Sequence, residues 1–508
     1  MSLSFLRETK GPHQEKLHNK TEKINKLDNR FAIIMYYIIG IGISFAIVLL
    51  TGSILSSTIS LSNKNYFGLI KASGLVGDKL PIISDSSLKI ELIFQKEIKR
   101  KGGTLSPVTS MAFLGANDIL MLNKNEGIVN RIVNGVLLAE PLLDVNVANK
   151  RERGMLGIAT TGSIPSNNDK KGDVRYVFLY YTQSANRDGS DICRATYYCK
   201  SDTETIGNQL YRYELKDNKL INPMLLLHLP ARPAPAHNGG IIIIGPDNNL
   251  YVTVGDFVGS SNETSRTKAQ NYKNGTEPDG RAGILRLSQD GKPTSQPILG
   301  NEFPLNLYYA YGIRNSFGID FDPITHELWD SENGPDYGDE INLVKPGFNG
   351  GWQKVQGIWK PKYDPVRGGD LIAGEESLKP HRKELVDFNG KGKYSAPEFT
   401  WNNTVGPTQI KFLHSDKYPK EYNNDLFVGD TNNGYLYHFD LSKDRKALSL
   451  NGTLADKVAN TSKELDKVIL GVGFGQITDI EVGPDGYLYI LSHDKNVAKI
   501  FKITSTKI

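Results

Sequence analysis

From about residue 100 onward the chain repeats one pattern: a Gly/Asn/Asp turn, a short alternating apolar run, then a polar turn. The clearest copies are GPDNNLYVTVGD at 245–256 and GPDGYLYILSHD at 483–494. Weaker copies fall at 115–127, 173–184, 322–334 and 423–441, making six in all. No long helical periodicity interrupts them. Hairpin-rich units that cannot bury their own faces stack into solenoids or propellers. Turn-bounded strands without intervening helices favour a propeller, with four-stranded blades around an axial channel. The expected fold is therefore all-β, a six-bladed β-propeller over 101–508. Seven blades, or a pair of β-sandwiches, are the competing architectures. IELIF at 90–94 reads as a lead-in strand inside a 56–100 spacer.

One segment departs from this pattern. Phe31–Leu55 runs 25 residues without a charge, long enough to span a bilayer and longer than the apolar core of a cleavable signal peptide. The 30 residues before it hold seven Lys/Arg against four acids. The positive-inside rule makes 1–30 a cytoplasmic tail, 31–55 a transmembrane helix, and the rest extracellular or periplasmic. In that compartment Cys193 and Cys199 are expected to close a small disulfide loop. The sequons beginning at Asn262, Asn274, Asn402, Asn451 and Asn460 permit surface glycosylation.

Composition narrows the function classes. Sixty Lys+Arg against 56 Asp+Glu leave a formal charge of +4 over 508 residues, which offers no broad basic surface for nucleic acid. With 39% hydrophobic and 23% charged residues, neither a disordered polymer nor a multi-span membrane protein fits. Two cysteines exclude a Cys-rich zinc site.

Three segments carry candidate chemistry. In PAPAHNGG at 233–240, His237 stands beside two glycines that permit close backbone approach, as suits a general base. Asp256, nineteen residues on, closes the following hairpin and is placed to hold the imidazole in one tautomer. In YGIRNSFG at 311–318, Arg314 and Asn315 join a planar guanidinium to an amide, a pair suited to polarising carbonyl oxygens on a flat ligand. In SENGPDYGDEIN at 331–342, a Gly334-Pro335 turn offers carbonyls near Asp336, Asp339 and Glu340, a calcium-compatible oxygen set without EF-hand spacing. Read singly, each segment has a plainer alternative: a turn histidine, an ion pair between blades, a solvated acidic turn. Trp352 and Trp401 are candidates for stacking on a sugar ring or for the core.

Together with ERGMLGIA at 152–159, these segments resemble the glucose/sorbosone dehydrogenase family across most of residues 100–505. The resemblance implies a six-bladed propeller binding pyrroloquinoline quinone (PQQ) with Ca2+. It implies that His237 is the base, supported by Asp256, and that Arg314 and Asn315 contact the quinone oxygens. The Gly334 and Pro335 carbonyls would hold the calcium. It also implies three basic residues for the cofactor's carboxylates, and here the sequence departs: Asn432, Gln476 and Thr478 occupy those positions. Three lost charge-assisted hydrogen bonds, each worth about 1.5–3 kcal/mol, would weaken cofactor binding unless Lys411, Lys417 or Lys420 replaced them. Two functions follow. One is a membrane-anchored, outward-facing quinoprotein that oxidises an aldose or related hydroxy compound and passes electrons to an acceptor. The alternative is a non-enzymatic surface propeller that binds a glycan or protein.

Overall fold

Apolar runs pair with their neighbours in chain order, and the sheets they form follow one another around a ring. The computed structural model describes residues 80–97, 107–162, 175–185, 205–231, 235–257, 266–364, 370–376, 384–494 and 496–506. All belong to the second of two compact units, Met1–Val76 and Gly77–Ile508. The expected membrane segment at 31–55, the Cys193–Cys199 pair and the Asn262 sequon lie outside the described residues. Among the described residues, no helix is long and apolar enough to cross a membrane.

The fold is an all-β propeller. Among the described residues, six sheets have four or more strands, and a two-stranded ribbon, Trp359–Asp364 with Asp370–Glu376, stands apart. The inner strands are Val108–Gly115, Met155–Thr160, Ile242–Ile244, Ser316–Phe321, Pro407–Phe412 and Gln476–Val482. Each inner strand contacts the next in that order, and the last returns to the first. The lead-in strand is Leu88–Glu97. It is no spacer, because it pairs antiparallel with the C-terminal strand Val497–Ser505 and completes the sixth sheet. Ile82–Ile83 likewise joins the outer edge of the fifth sheet, against Val472 and Gly471. The propeller therefore includes residues assigned from sequence to the spacer, and the sixth sheet joins a strand that precedes the first inner strand to the last strand of the chain.

Neighbouring sheets share each hydrophobic cluster. Leu156, Phe178 and Leu210 of the second sheet interlock with Ile242, Val252 and Leu285 of the third. Phe427 and Leu436 of the fifth pack on Ile480, Leu488 and Ile490 of the sixth. Burying each such side chain contributes about 1.5–3 kcal/mol. The two clearest sequence repeats are equivalent hairpins of the third and sixth sheets. In one, the Tyr251 hydroxyl donates to Asp247 at 3.0 Å; in the other, the Tyr489 hydroxyl donates to Asp485 at 2.9 Å. A Cβ on Gly245 or on Gly483 would lie 2.6 Å from the tyrosine ring of its own hairpin. The Gly-Pro-Asp signature is thus set by ring packing over a tight turn.

Candidate active site

Because strands alternate in direction, the residue before an inner strand and the residue after the second strand share one end of the ring. His237, Arg314-Asn315, Gly406 and Gly475 precede inner strands; Asp256, Gly334 and Asn432 follow second strands. Positions hundreds of residues apart are thereby gathered at one rim.

At that rim the His237 Nδ1 lies 2.6 Å from Asp256 Oδ1. The Trp352 indole N–H donates to Asp256 Oδ2 at 2.6 Å. A carboxylate that already receives the indole can only accept again, so the imidazole proton sits on Nδ1 and Nε2 is left as a base. Asp256 is fully buried, while the His237 side chain keeps 12% of its surface exposed. The backbone is shaped for this placement. His237 adopts φ 58°, in the left-handed region, and its N–H donates to Glu152 Oε2 at 2.6 Å. A Cβ on Gly255 would sit 2.1 Å from the His237 carbonyl, so only glycine lets the two hairpin ends approach.

Asn315 is buried and fastens this loop: Gly239 N–H donates to its Oδ1 at 3.3 Å, and its amide donates to Glu152 at 3.1 Å. Arg314 is held through its backbone, donating from N–H to Glu332 Oε1 at 2.7 Å, and through Nη1, which donates to the Asn333 carbonyl at 2.7 Å. Its guanidinium lies 5.5 Å from the Trp352 ring centroid. Among the described residues, its Nε and Nη2 have no assigned partner. Beneath it, burial and the neighbouring Glu340 and Asp330 push the Glu332 carboxyl well above the usual carboxylate range.

A profile of one family, Glucose / Sorbosone dehydrogenase, matches residues 105–502. The chain belongs to that family. It is 27% identical over 281 residues to the aldose sugar dehydrogenase YliI of Escherichia coli, an alignment spanning 54% of this chain and 62% of that protein. It is 30% identical over 234 residues to the quinoprotein glucose dehydrogenase B of Acinetobacter calcoaceticus, spanning 43% of this chain and 48% of that protein. The solved PQQ-bound aldose sugar dehydrogenase of Streptomyces coelicolor shares the fold with a TM-score of 0.52 at 19% identity, covering 83% of this chain and 99% of that one.

The expected calcium positions, Gly334 and Pro335, lie on the turn that follows the strand Leu328–Glu332. Among the described residues, no N–H or O–H donates to the Gly334 or Pro335 carbonyls. Asp339 is not free to join them. Its Oδ1 accepts from Gly334 N–H at 2.8 Å, and its Oδ2 accepts from the Thr404 hydroxyl and from Val405 and Gly406 N–H at 2.7, 2.6 and 2.9 Å. Glu340 is likewise committed, accepting from Gly357 N–H, Gln356 at 3.1 Å and Asn342 at 2.9 Å. Both carboxylates, expected from sequence to be metal ligands, are buried holders of the surrounding loops.

The cofactor-anchoring positions separate. Asn432 and Gln476 line one cavity of about 440 Å3 with His493 and Asp494, and among the described residues no lysine or arginine lines it. Burial pushes the His493 imidazole below its ordinary value, disfavouring its charged form. Thr478 sits beside its own sheet, its hydroxyl 3.5 Å from the Leu491 carbonyl. Lys411 cannot substitute, being buried in the inner strand and paired with Glu481 at 2.9 Å and Asp320 at 3.5 Å. Lys417 lies near the Gly486 turn, at the far end of the sixth sheet from Gln476. Trp401 is 1% exposed, edge-on to Phe399 of its own sheet and to Tyr437 and Phe439 of the fifth, so its role is core rather than stacking. Glu152 and Trp352 hold the centre yet were not assigned to it from sequence. For Glu152 the available signal was its place in ERGMLGIA.

Proposed function

We propose that this chain is a sugar dehydrogenase in which His237 removes the proton from a substrate hydroxyl as hydride leaves the same carbon. One observation carries the reading: an imidazole fixed by a buried carboxylate, with Nε2 open, beside an arginine whose Nε and Nη2 have no described partner. Asp256 and Trp352 orient the base and stabilise the imidazolium that forms. Glu152 and Asn315 hold the loop that presents it. Arg314 supplies positive charge next to the reacting centre.

The family cofactor fits this half of the rim. Arg314 would hold oxygens of a flat quinone, and the Gly334 and Pro335 carbonyls, which receive no described hydrogen bond, suit a hard cation such as Ca2+. When bound, PQQ would supply the hydride acceptor, polarised by Ca2+ as a Lewis acid. Asn432 and Gln476 offer neutral hydrogen bonds only, so we expect weaker retention of the three carboxylates than three cations would give. The six sheets in cyclic contact support a count of six blades. The uncharged Phe31–Leu55 run after a basic tail supports a membrane-anchored protein with its propeller outside the cytoplasm. Relatives named as aldose sugar and glucose dehydrogenases support a sugar substrate.

Calorimetric titration of the full chain in detergent, with Ca2+ present, tests the cofactor assignment. Saturable one-to-one PQQ binding, weakened by Arg314→Leu, is expected. A chain that binds Ca2+ but takes up no PQQ would favour the non-catalytic propeller, a reading supported by the cavity at Asn432 and Gln476, where no described lysine or arginine faces an anion.

A further inference from the structure

The repeat NNDLFVGDTNNGYLYHFDL at 423–441 contributes Asn432 to the rim, but its other polar residues lie elsewhere. Asp425 immediately precedes the strand Leu426–Asp430, His438 is on Tyr435–Phe439, and Asp440 follows it. All three therefore sit at the end of the fifth sheet opposite the 431–434 hairpin and the candidate active site. The His438 Nε2 is 3.0 Å from Asp425 Oδ2 and 3.8 Å from Asp440 Oδ1. One nitrogen and two carboxylate oxygens lie within 4.8 Å of one another, the only group of this kind among the described residues.

We propose that Asp425, His438 and Asp440 form a binding site for a zinc-like divalent cation, distinct from the calcium turn at Gly334. A tetrahedral ion with bonds of about 2.0 Å places its ligand atoms about 3.3 Å apart, and the two observed separations from Nε2 bracket that value. The ring is already set in place. It packs against Tyr422 and Phe427, with both ring centroids 5.0 Å from its own, and the backbone N–H of His438 is fixed on the Val468 carbonyl at 2.9 Å. The Asp440 side chain is 65% exposed, which leaves a route for the ion and a fourth position for water.

Charge points the same way. Among the described residues, no lysine or arginine pairs with Asp425 or Asp440. Tyr422, packed on the histidine, donates to Asp85 at 2.6 Å, adding another carboxylate nearby. A mixed nitrogen and oxygen set of three suits Zn2+ or Co2+ rather than Ca2+, which takes six to eight oxygens. Bound there, the ion would clamp the hairpin beside Tyr422, whose partner Asp85 belongs to the N-terminal segment that closes the fifth sheet.

The probe is Co2+ added to the full-length protein in saturating Ca2+, with Zn2+ as competitor. The wild type is expected to take up one more equivalent than His438→Gln and to show the intense visible band of tetrahedral Co2+, lost on adding Zn2+. Asp440→Asn, exposed and unable to disturb the core, is expected to weaken that equivalent roughly tenfold or more. If His438→Gln fails to fold, Asp440→Asn decides alone. Equal stoichiometry and affinity in wild type and Asp440→Asn, or a pale octahedral spectrum throughout, would overturn the site.

Discussion

Replacing Asp256 with asparagine tests the base at its support. The substitution keeps shape and volume but removes a charge that accepts two short hydrogen bonds, from His237 and Trp352, each at 2.6 Å. Asparagine has one accepting oxygen, so one of the two donors must face an N–H. If the oxygen stays with the indole, the imidazole meets the amide and moves its proton to Nε2, where no base remains. If it stays with the imidazole, the buried indole N–H loses its partner. Whichever donor keeps the oxygen, both lose the carboxylate's charge; charge-assisted hydrogen bonds are each worth about 1.5–3 kcal/mol, so the substitution costs up to about 3–6 kcal/mol. At 1.36 kcal/mol per decade, that is a fall of about 10^2 to 10^4 in turnover. The assay is dye reduction over an aldose panel with Ca2+ and PQQ, beside PQQ affinity measured by calorimetry. Loss of kcat with little change in PQQ affinity is expected, and Trp352→Phe should give a smaller loss of about 10–100-fold, from one bond. Turnover within threefold of wild type in Asp256→Asn would refute the dyad as the proton acceptor.

Other perturbations read separate parts of the structure. Gly255→Ala forces a Cβ to 2.1 Å from the His237 carbonyl, so it should lower the melting temperature and abolish turnover together; an unchanged melting curve would contradict the packing at the rim. Asn432→Lys should tighten PQQ binding about 10–100-fold if one charge-assisted bond to a carboxylate is restored, as calorimetry would show. Burial raises the Asp330 carboxyl to about 7, so the folded protein keeps a proton that the unfolded chain releases from about pH 4 upward. The proton-linked contribution is complete below pH 4 and is lost as pH rises through about 7, at a cost of a few kcal/mol. Asp330→Asn should accordingly melt higher than wild type at pH 8 and close to it at pH 4.

Some of this was legible in the sequence because local rules and tertiary packing agree. The turn-and-strand repeat at 245–256 and 483–494 marks the same hairpin twice, since one ring packs over one glycine in each copy. His237, Asp256 and Arg314 were legible through neighbouring glycines and spacing. The roles of Asp339 and Glu340 were not. An acidic turn looks alike whether its oxygens face a cation or backbone N–H groups, and only the fold brings residues 404–406 and 356–357 onto them. Lys411 was offered as a replacement cation; the fold places it between Asp320 and Glu481 on neighbouring inner strands, a pairing that depends on how consecutive sheets pack. Trp352 is buried, as one of its two sequence readings had it, but its contact with Asp256 was not legible. Its indole reaches Asp256 across 96 residues, from the segment between the fourth-sheet strands Asp339–Val344 and Phe399–Trp401. The lead-in strand at 90–94 was legible, but its place in the sixth sheet was not, because its partner Val497–Ser505 lies about 400 residues away.

The most direct test of the proposed chemistry is steady-state dye reduction by the full-length protein with Ca2+ and PQQ, compared with His237→Ala. Aldose-dependent turnover in the wild type that falls at least about 10^2-fold in the variant, with PQQ affinity retained, is the expected result. Equal turnover in both proteins would contradict the role given to His237, and no turnover in either despite bound PQQ would contradict the dehydrogenase itself.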